Sequence, residues 1–123
     1  MDIEAIIILV AQVLMGGAFL IAGLRNMRSF SVLESALAAK NVPFPGVSLG
    51  IGIALQIVCG ALLAIGFWSA LAAAGLILFV VLATLLFHNF WAYEGAERVN
   101  HINGFISNMA LIGGFLALLA IAL

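Results

Sequence analysis

The chain has two histidines, His88 and His101. They bracket the segment that holds most of its chemistry: Asn89, Trp91, Tyr93, Glu94, Glu97, Arg98 and Asn100. Histidine is the side chain that titrates near neutral pH, and a carboxylate beside it favours its charged form. If residues 94 to 101 are helical, Glu94, Glu97 and His101 fall at i, i+3 and i+7 and share a face. That spacing predicts a polar binding or proton-handling site, with His88 and His101 as donors or proton acceptors. Glu94 and Glu97 would be their partners and Trp91 a stacking wall. Plainer accounts stand beside it. Trp91 and Tyr93 suit the aromatic belt of a membrane interface, and Arg98 is placed to pair with Glu94 four residues away. Two histidines at similar depth also suit axial ligation of a haem, and Glu94, Glu97, His101 and His88 a divalent cation. Both are disfavoured, the cation because HExxH or another diagnostic metal spacing is missing. No Ser/His/Asp constellation, phosphate-cradling glycine loop or nucleotide fingerprint occurs.

Two more polar side chains, Gln12 and Gln56, lie inside otherwise apolar runs. Gln12 shares a helical stripe with Gly16, Phe19, Gly23 and Asn26. An amide within a membrane needs a partner. Gln12 and Gln56 are therefore expected to bond to each other between helices, each bond contributing on the order of 1 kcal/mol or less. Contact with a quinone carbonyl or a lipid head group is the alternative. Cys59 is the lone cysteine, so it can form neither an internal disulfide nor a CxxC redox pair and reads as packing.

The elements that must position these groups are set by an unusual lack of charge. From Asn41 to Tyr93 not one Asp, Glu, Lys or Arg occurs, a run far longer than the roughly 20 apolar residues of one bilayer crossing. The chain must cross, turn and return. With 67% hydrophobic and 7% charged residues, it lies well outside soluble usage, where about a quarter of residues are charged. The expected fold is all-α, a single domain over residues 1–123 forming an integral membrane four-helix bundle. Its spans are about residues 5–24, 47–65, 68–87 and 102–123, with Gly66 and Phe67 as a tight hairpin. Helices are the natural answer, because open sheet edges are not tolerated in hydrocarbon. A short interfacial helix is expected between the first and second spans. There Ser31 and Glu34 have capping-box spacing, Asn41 suits the helix end and Pro43 bars continuation.

Asp2 and Glu4 stand where a signal peptide would carry basic residues, so the first apolar run reads as a retained span. Arg25, Arg28 and Lys40 fall in the first connection and Arg98 in the third, which by the positive-inside rule predicts extracytoplasmic N and C termini. Four spans also put the first and third connections on one membrane face, which gathers Arg25, Asn26, Glu34, His88, Asn89, Trp91, Glu94, Glu97, Arg98 and His101. Gly46, Gly50 and Ala54, and Ala110 with Gly114, have small-xxx-small spacing. They are expected to pack inside the bundle, with a homo-oligomer seam as the sharper option. A net charge of −1 and no clustered basic face argue against nucleic acid.

Gly16, Phe19, Gly23, Leu24, Arg25, Asn26 and Met27, then Pro43 and Pro45, Gly60 and Gly66, His88, Phe90 and Trp91, and finally Asn108, Ala110, Leu111, Gly113 and Gly114 resemble the DoxX family in order and spacing. The resemblance implies a small four-span protein of the bacterial inner membrane, tied to oxidoreductase systems. Named members are linked to a membrane subunit of a thiosulfate:quinone oxidoreductase and to a membrane-associated redox complex. This chain departs from the family in polar positions. Gln12 stands where many members carry Arg, Gln56 where many carry Glu, and Asn26 and Ser107 where others carry Lys.

The function these features predict is a membrane subunit that binds a quinone or lipid at the polar face and serves a soluble redox partner on the cytoplasmic side. The candidate binding residues are His88, Trp91, Glu94, Glu97, Arg98, His101, Arg25, Asn26 and Asn108. An anchor or assembly factor for a soluble protein is the alternative. A small-solute carrier is disfavoured, because no mid-membrane charge lines a path.

Overall fold

Asp2 starts the first helix: its carboxylate accepts the Ala5 N–H at 2.8 Å, and Glu4 sits in the first turn. Negative charge there complements the helix dipole, as Arg25 and Arg28 do in the last turn. The computed structural model describes residues 2–123. Its helices are α1 (Ile3–Arg28), α2 (Phe30–Ala39), α3 (Pro45–Ile65), α4 (Ser69–Phe87) and α5 (Gly95–Ala122). A single 3-10 turn, Phe90–Ala92, follows α4, and no strand occurs among the described residues. Four of the helices, all but α2, are long and apolar enough to cross a membrane.

The expected spans are thus present, but two are longer than the apolar runs. The helix continues past Leu24 through Arg25, Asn26 and Arg28, and α5 begins at Gly95 rather than near Ile102. Hydropathy marks only the part of a helix that suits lipid, whereas backbone hydrogen bonding extends it into the interface.

The interfacial helix α2 forms as expected, but its cap differs. Ser29 holds the N-cap position, and Ser31 lies inside the helix. At the other end Asn41 adopts φ 61. Its N–H donates to Ala38 O and the Val42 N–H to Leu37 O, both at 3.1 Å. This is the left-handed closure that Asn tolerates better than most residues. Gly66, at φ 75, closes α3 in the same way.

Packing between α1 and α3 is set by backbone contact. A Cβ added at Gly16 would lie 2.6 Å from both Gly60 O and Ala64 N, and one at Gly60 would lie 2.8 Å from Gly16 O and Leu20 N. Only hydrogen fits at that crossing. Helix association in lipid relies on such close approach, because the hydrocarbon supplies no hydrophobic drive. The Gly46 and Gly50 pair plays no such role. Gly46 faces the Glu34 carboxylate of α2, and nothing lies within 4 Å of an added Cβ at Gly50. Gly114 does pack inside the bundle, against Met15.

The core is narrow: Leu63, Ala72, Ala73, Leu76, Val80, Phe115 and Leu118 are buried, with Cys59 among them. Phe19 of α1 meets Phe79 and Phe115 edge-on, at 6.2 and 5.2 Å between centroids, and so ties three helices together. Elsewhere Ile7, Leu14, Ile21, Val58, Leu71, Leu85 and Leu116 face outward. Helices apolar on all sides with an apolar exterior fit a lipid environment. The chain is a small multi-pass membrane protein.

Candidate functional site

The Gln12 to Gln56 pairing expected from the sequence does not form. Gln12 donates to Ser69 Oγ at 3.2 Å, and Gln56 accepts from Asn26 Nδ2 at 3.0 Å. The register of α1 on α3 explains the difference. Gly16 faces Gly60, Gly23 faces Ile57 and Gln12 lies beside Gly66. That places Gln12 about ten residues, or roughly 15 Å of helix, from Gln56. Each amide meets whichever polar group shares its depth.

Asn26 and Gln56 form the inner polar wall of a cavity of about 580 Å³ between α2, α3 and α4. This volume lies in the range of drug-sized ligand sites. Most of the lining is apolar, including Leu37, Ile53, Leu55, Phe79 and Leu86, with Ser48 and His88 at the end beneath α2. Gln56 is only 3% exposed, so its amide is committed to the interior. Leu33, Leu37 and Val42 roof that end, and Lys40 closes over it with its Nζ 5.8 Å from the Phe87 ring centroid. Toward the middle of the membrane the cavity opens sideways. Ile51, Leu78 and Leu82 line it and are also 65%, 54% and 50% exposed on the outer surface.

A second polar group sits at the α4–α5 contact. Asn108 Nδ2 donates to Thr84 Oγ1 at 2.9 Å, and the Thr84 hydroxyl donates to Val80 O at 2.6 Å. One turn further along α4, His88 packs against Gly104, where an added Cβ would overlap its ring. The His88 and His101 centroids are 5.7 Å apart, and Tyr93 stacks on His101 at 4.1 Å with an interplanar angle of 24°. The structure thus brings His88 and His101 together on the polar face.

The remaining candidates are placed otherwise. Glu94 occupies the N-cap of α5 with an extended backbone, so it is off the helical face expected to carry Glu94, Glu97 and His101. Arg25, Trp91, Glu94, Glu97 and Arg98 are exposed and outside the cavity lining. The Arg98 guanidinium lies 5.9 Å from the Phe90 ring centroid, and Trp91 packs edge-on against Phe90 at 5.3 Å. Among the described residues no three His, Cys, Asp or Glu side chains converge as a metal site.

Sequence reasoning missed Thr84, Gly104 and Ser48 as site residues, and placed Asn89 and Tyr93 in the chemically rich segment without giving them a role at the site. Thr84 and Gly104 carried a usable signal, since they lie four residues before His88 and three after His101 on the same helix faces. A shallower hollow of about 390 Å³ at the other end is lined by Trp68, Ser69, Ala70, Leu71 and Ala122. The Ser69 hydroxyl already accepts from Gln12, which leaves the Trp68 indole N–H as the other side-chain polar group of that hollow.

Comparison with curated proteins returns no match, and neither does comparison with solved structures. A family model, DoxX, matches residues 7–89, more than half of the chain. The matched segment carries the Gly16 and Gly60 crossing, the cavity and His88, and it ends where the turn to α5 begins. With that segment covering three of its four spans, the chain belongs to the DoxX family.

Proposed function

We propose that the protein is a non-catalytic membrane subunit that holds a quinone or lipid in the cavity between α2, α3 and α4 and serves an oxidoreductase system. Its setting is the bacterial inner membrane, with both termini extracytoplasmic by the distribution of Arg25, Arg28, Lys40 and Arg98. The observation that carries this reading is the polarity of the cavity. Its walls are mostly apolar, with four polar side chains set among them: Asn26 and Gln56 on the inner wall, and Ser48 and His88 at the end beneath α2. A molecule with an apolar tail and a compact polar head matches that distribution, as ligand sites generally pair an apolar wall with a few placed polar groups. The oxidoreductase assignment draws on the family resemblance.

Organic extraction of protein purified from native membranes tests the reading. Quinone or a selectively enriched lipid should co-purify, and Ala83→Phe, which fills the cavity from α4, should lower its occupancy severalfold. Occupancy unchanged by that substitution would count decisively against the cavity. A second reading, an anchor for a soluble protein, draws on the exposure of Trp91, Glu94, Glu97 and Arg98 outside the cavity. A soluble partner retained by Ala83→Phe but lost on replacing Trp91 and Arg98 together would favour it.

A further inference from the structure

Polar groups run in file along the contact of α4 with α5. Thr84 and His88 are one turn apart on α4, and His101, Gly104 and Asn108 follow one another at helical spacing on α5. The inner end of the file is satisfied by the Asn108, Thr84 and Val80 chain of hydrogen bonds. At the outer end three buried atoms have no hydrogen-bond partner within the protein: His88 Nδ1, Asn89 Oδ1 and His101 Nδ1. A buried polar group left alone is costly, and here two histidines in ring contact and the residue next to one of them carry three such atoms.

The chemistry of the three atoms narrows what satisfies them. An amide oxygen only accepts, whereas an imidazole Nδ1 donates or accepts according to tautomer. A water molecule supplies two donors and two acceptors, and buried waters typically make about three hydrogen bonds to such groups. The Tyr93 ring covers one face of His101. The His88 ring is fixed against Gly104 and also lines the cavity.

We propose that a water held by His88, Asn89 and His101 makes His88 a proton relay between the aqueous end of α5 and the cavity. His88 takes a proton from the water on one ring nitrogen and releases one from the other to a head group in the cavity. His101 restores the water's proton and is itself restored from bulk. The net event moves one proton and no electrons. The cavity's ligand would then be an amphiphile whose head accepts that proton, such as a phenolate or a carboxylate, and becomes the neutral phenol or acid. This rests on the ligand-binding reading of the cavity, although the relay can be measured with no ligand bound. The ionisable groups around His88 are His101 from α5, Tyr93 from the turn after α4, and Lys40 over the neighbouring Phe87. Arg98 lies over Phe90, and Glu94 and Glu97 stand exposed at the start of α5.

The chain holds two histidines, so selective 15N-histidine labelling yields two ring spin systems, each with an Nδ1 and an Nε2 signal. In lipid nanodiscs, with extractable lipophiles removed, NMR should show magnetisation transfer from water to His88. Exchange of the His88 ring N–H with D2O should slow severalfold in His101→Phe and less in Asn89→Ala, with Leu116→Ala, on the outward face of α5, unchanged. Thermal melts of each variant separate this effect from unfolding. No water transfer to His88 in the native protein, or exchange unaltered in both His101→Phe and Asn89→Ala, would overturn the relay. So would stoichiometric zinc or copper surviving chelation and lost in His101→Phe, which would assign the three atoms to a metal. An empty extraction alongside slowed exchange would instead defeat the cavity reading and leave the relay's water in place.

Discussion

Single side chains in this bundle pair by depth. The Asn26 to Gln56 bond joins α1 to α3 at the cavity wall, and its loss leaves a polar group stranded. Gln56→Leu should destabilise the protein by about 1 kcal/mol in reversible unfolding from detergent micelles, while adding Asn26→Leu should restore part of that loss. A double-mutant cycle with no coupling energy would show that the two amides do not interact. Thr84→Val should have a similar cost of about 1 kcal/mol, because it removes the acceptor of Asn108. Gln12 and Gln56 were recognisable as polar intruders in apolar runs, Asn26 by its place on the Gln12 stripe and Asn108 by the family resemblance, whereas Thr84 was missed. The partners of these amides were not recognisable, because pairing depends on the register of one helix against another, and composition along a single helix says nothing of that. Glu94 shows a second limit. Its place on the Glu97 and His101 face assumed a helix already under way, whereas Gly95, at φ 64, begins that helix one residue later.

At the scale of helices, existence was legible and seams were not. Apolar length alone announced α1, α3, α4 and α5, and turn chemistry at Asn41, Pro43 and Gly66 marked their breaks. Small-residue spacing drew attention to Gly46 and Gly50, yet the backbone contact lies at Gly16 and Gly60. Spacing identifies where close approach is allowed, and only the partner helix decides where it happens. Gly60→Val should therefore destabilise by about 1–3 kcal/mol or more, since the intruding atoms would meet backbone that cannot swing aside. Gly50→Ala should be near neutral, because open space surrounds it. If the two substitutions have equal effects on unfolding, the α1–α3 crossing is misplaced.

For the molecule as a whole, four crossings fix which segments share a side. In a Cys59→Ala background, single cysteines at Arg28 and Glu97 should react with a membrane-impermeant maleimide from one compartment, and a cysteine at Phe67 from the other. Reaction of residues 28 and 97 from opposite compartments would rule out the bundle. The cavity itself was beyond sequence reasoning, since it arises where α2 folds back over α3 and α4, and no residue pattern announces an enclosed space. Its sideways opening at Ile51, Leu78 and Leu82 has a further result. Under the proposed ligand reading, a guest arriving there would never leave the oily phase, so its supply would be counted per lipid rather than per litre of water. Crowded among hydrocarbon chains, the protein would then have little need to grip a tail, and selection among candidates would fall on the few atoms of the head.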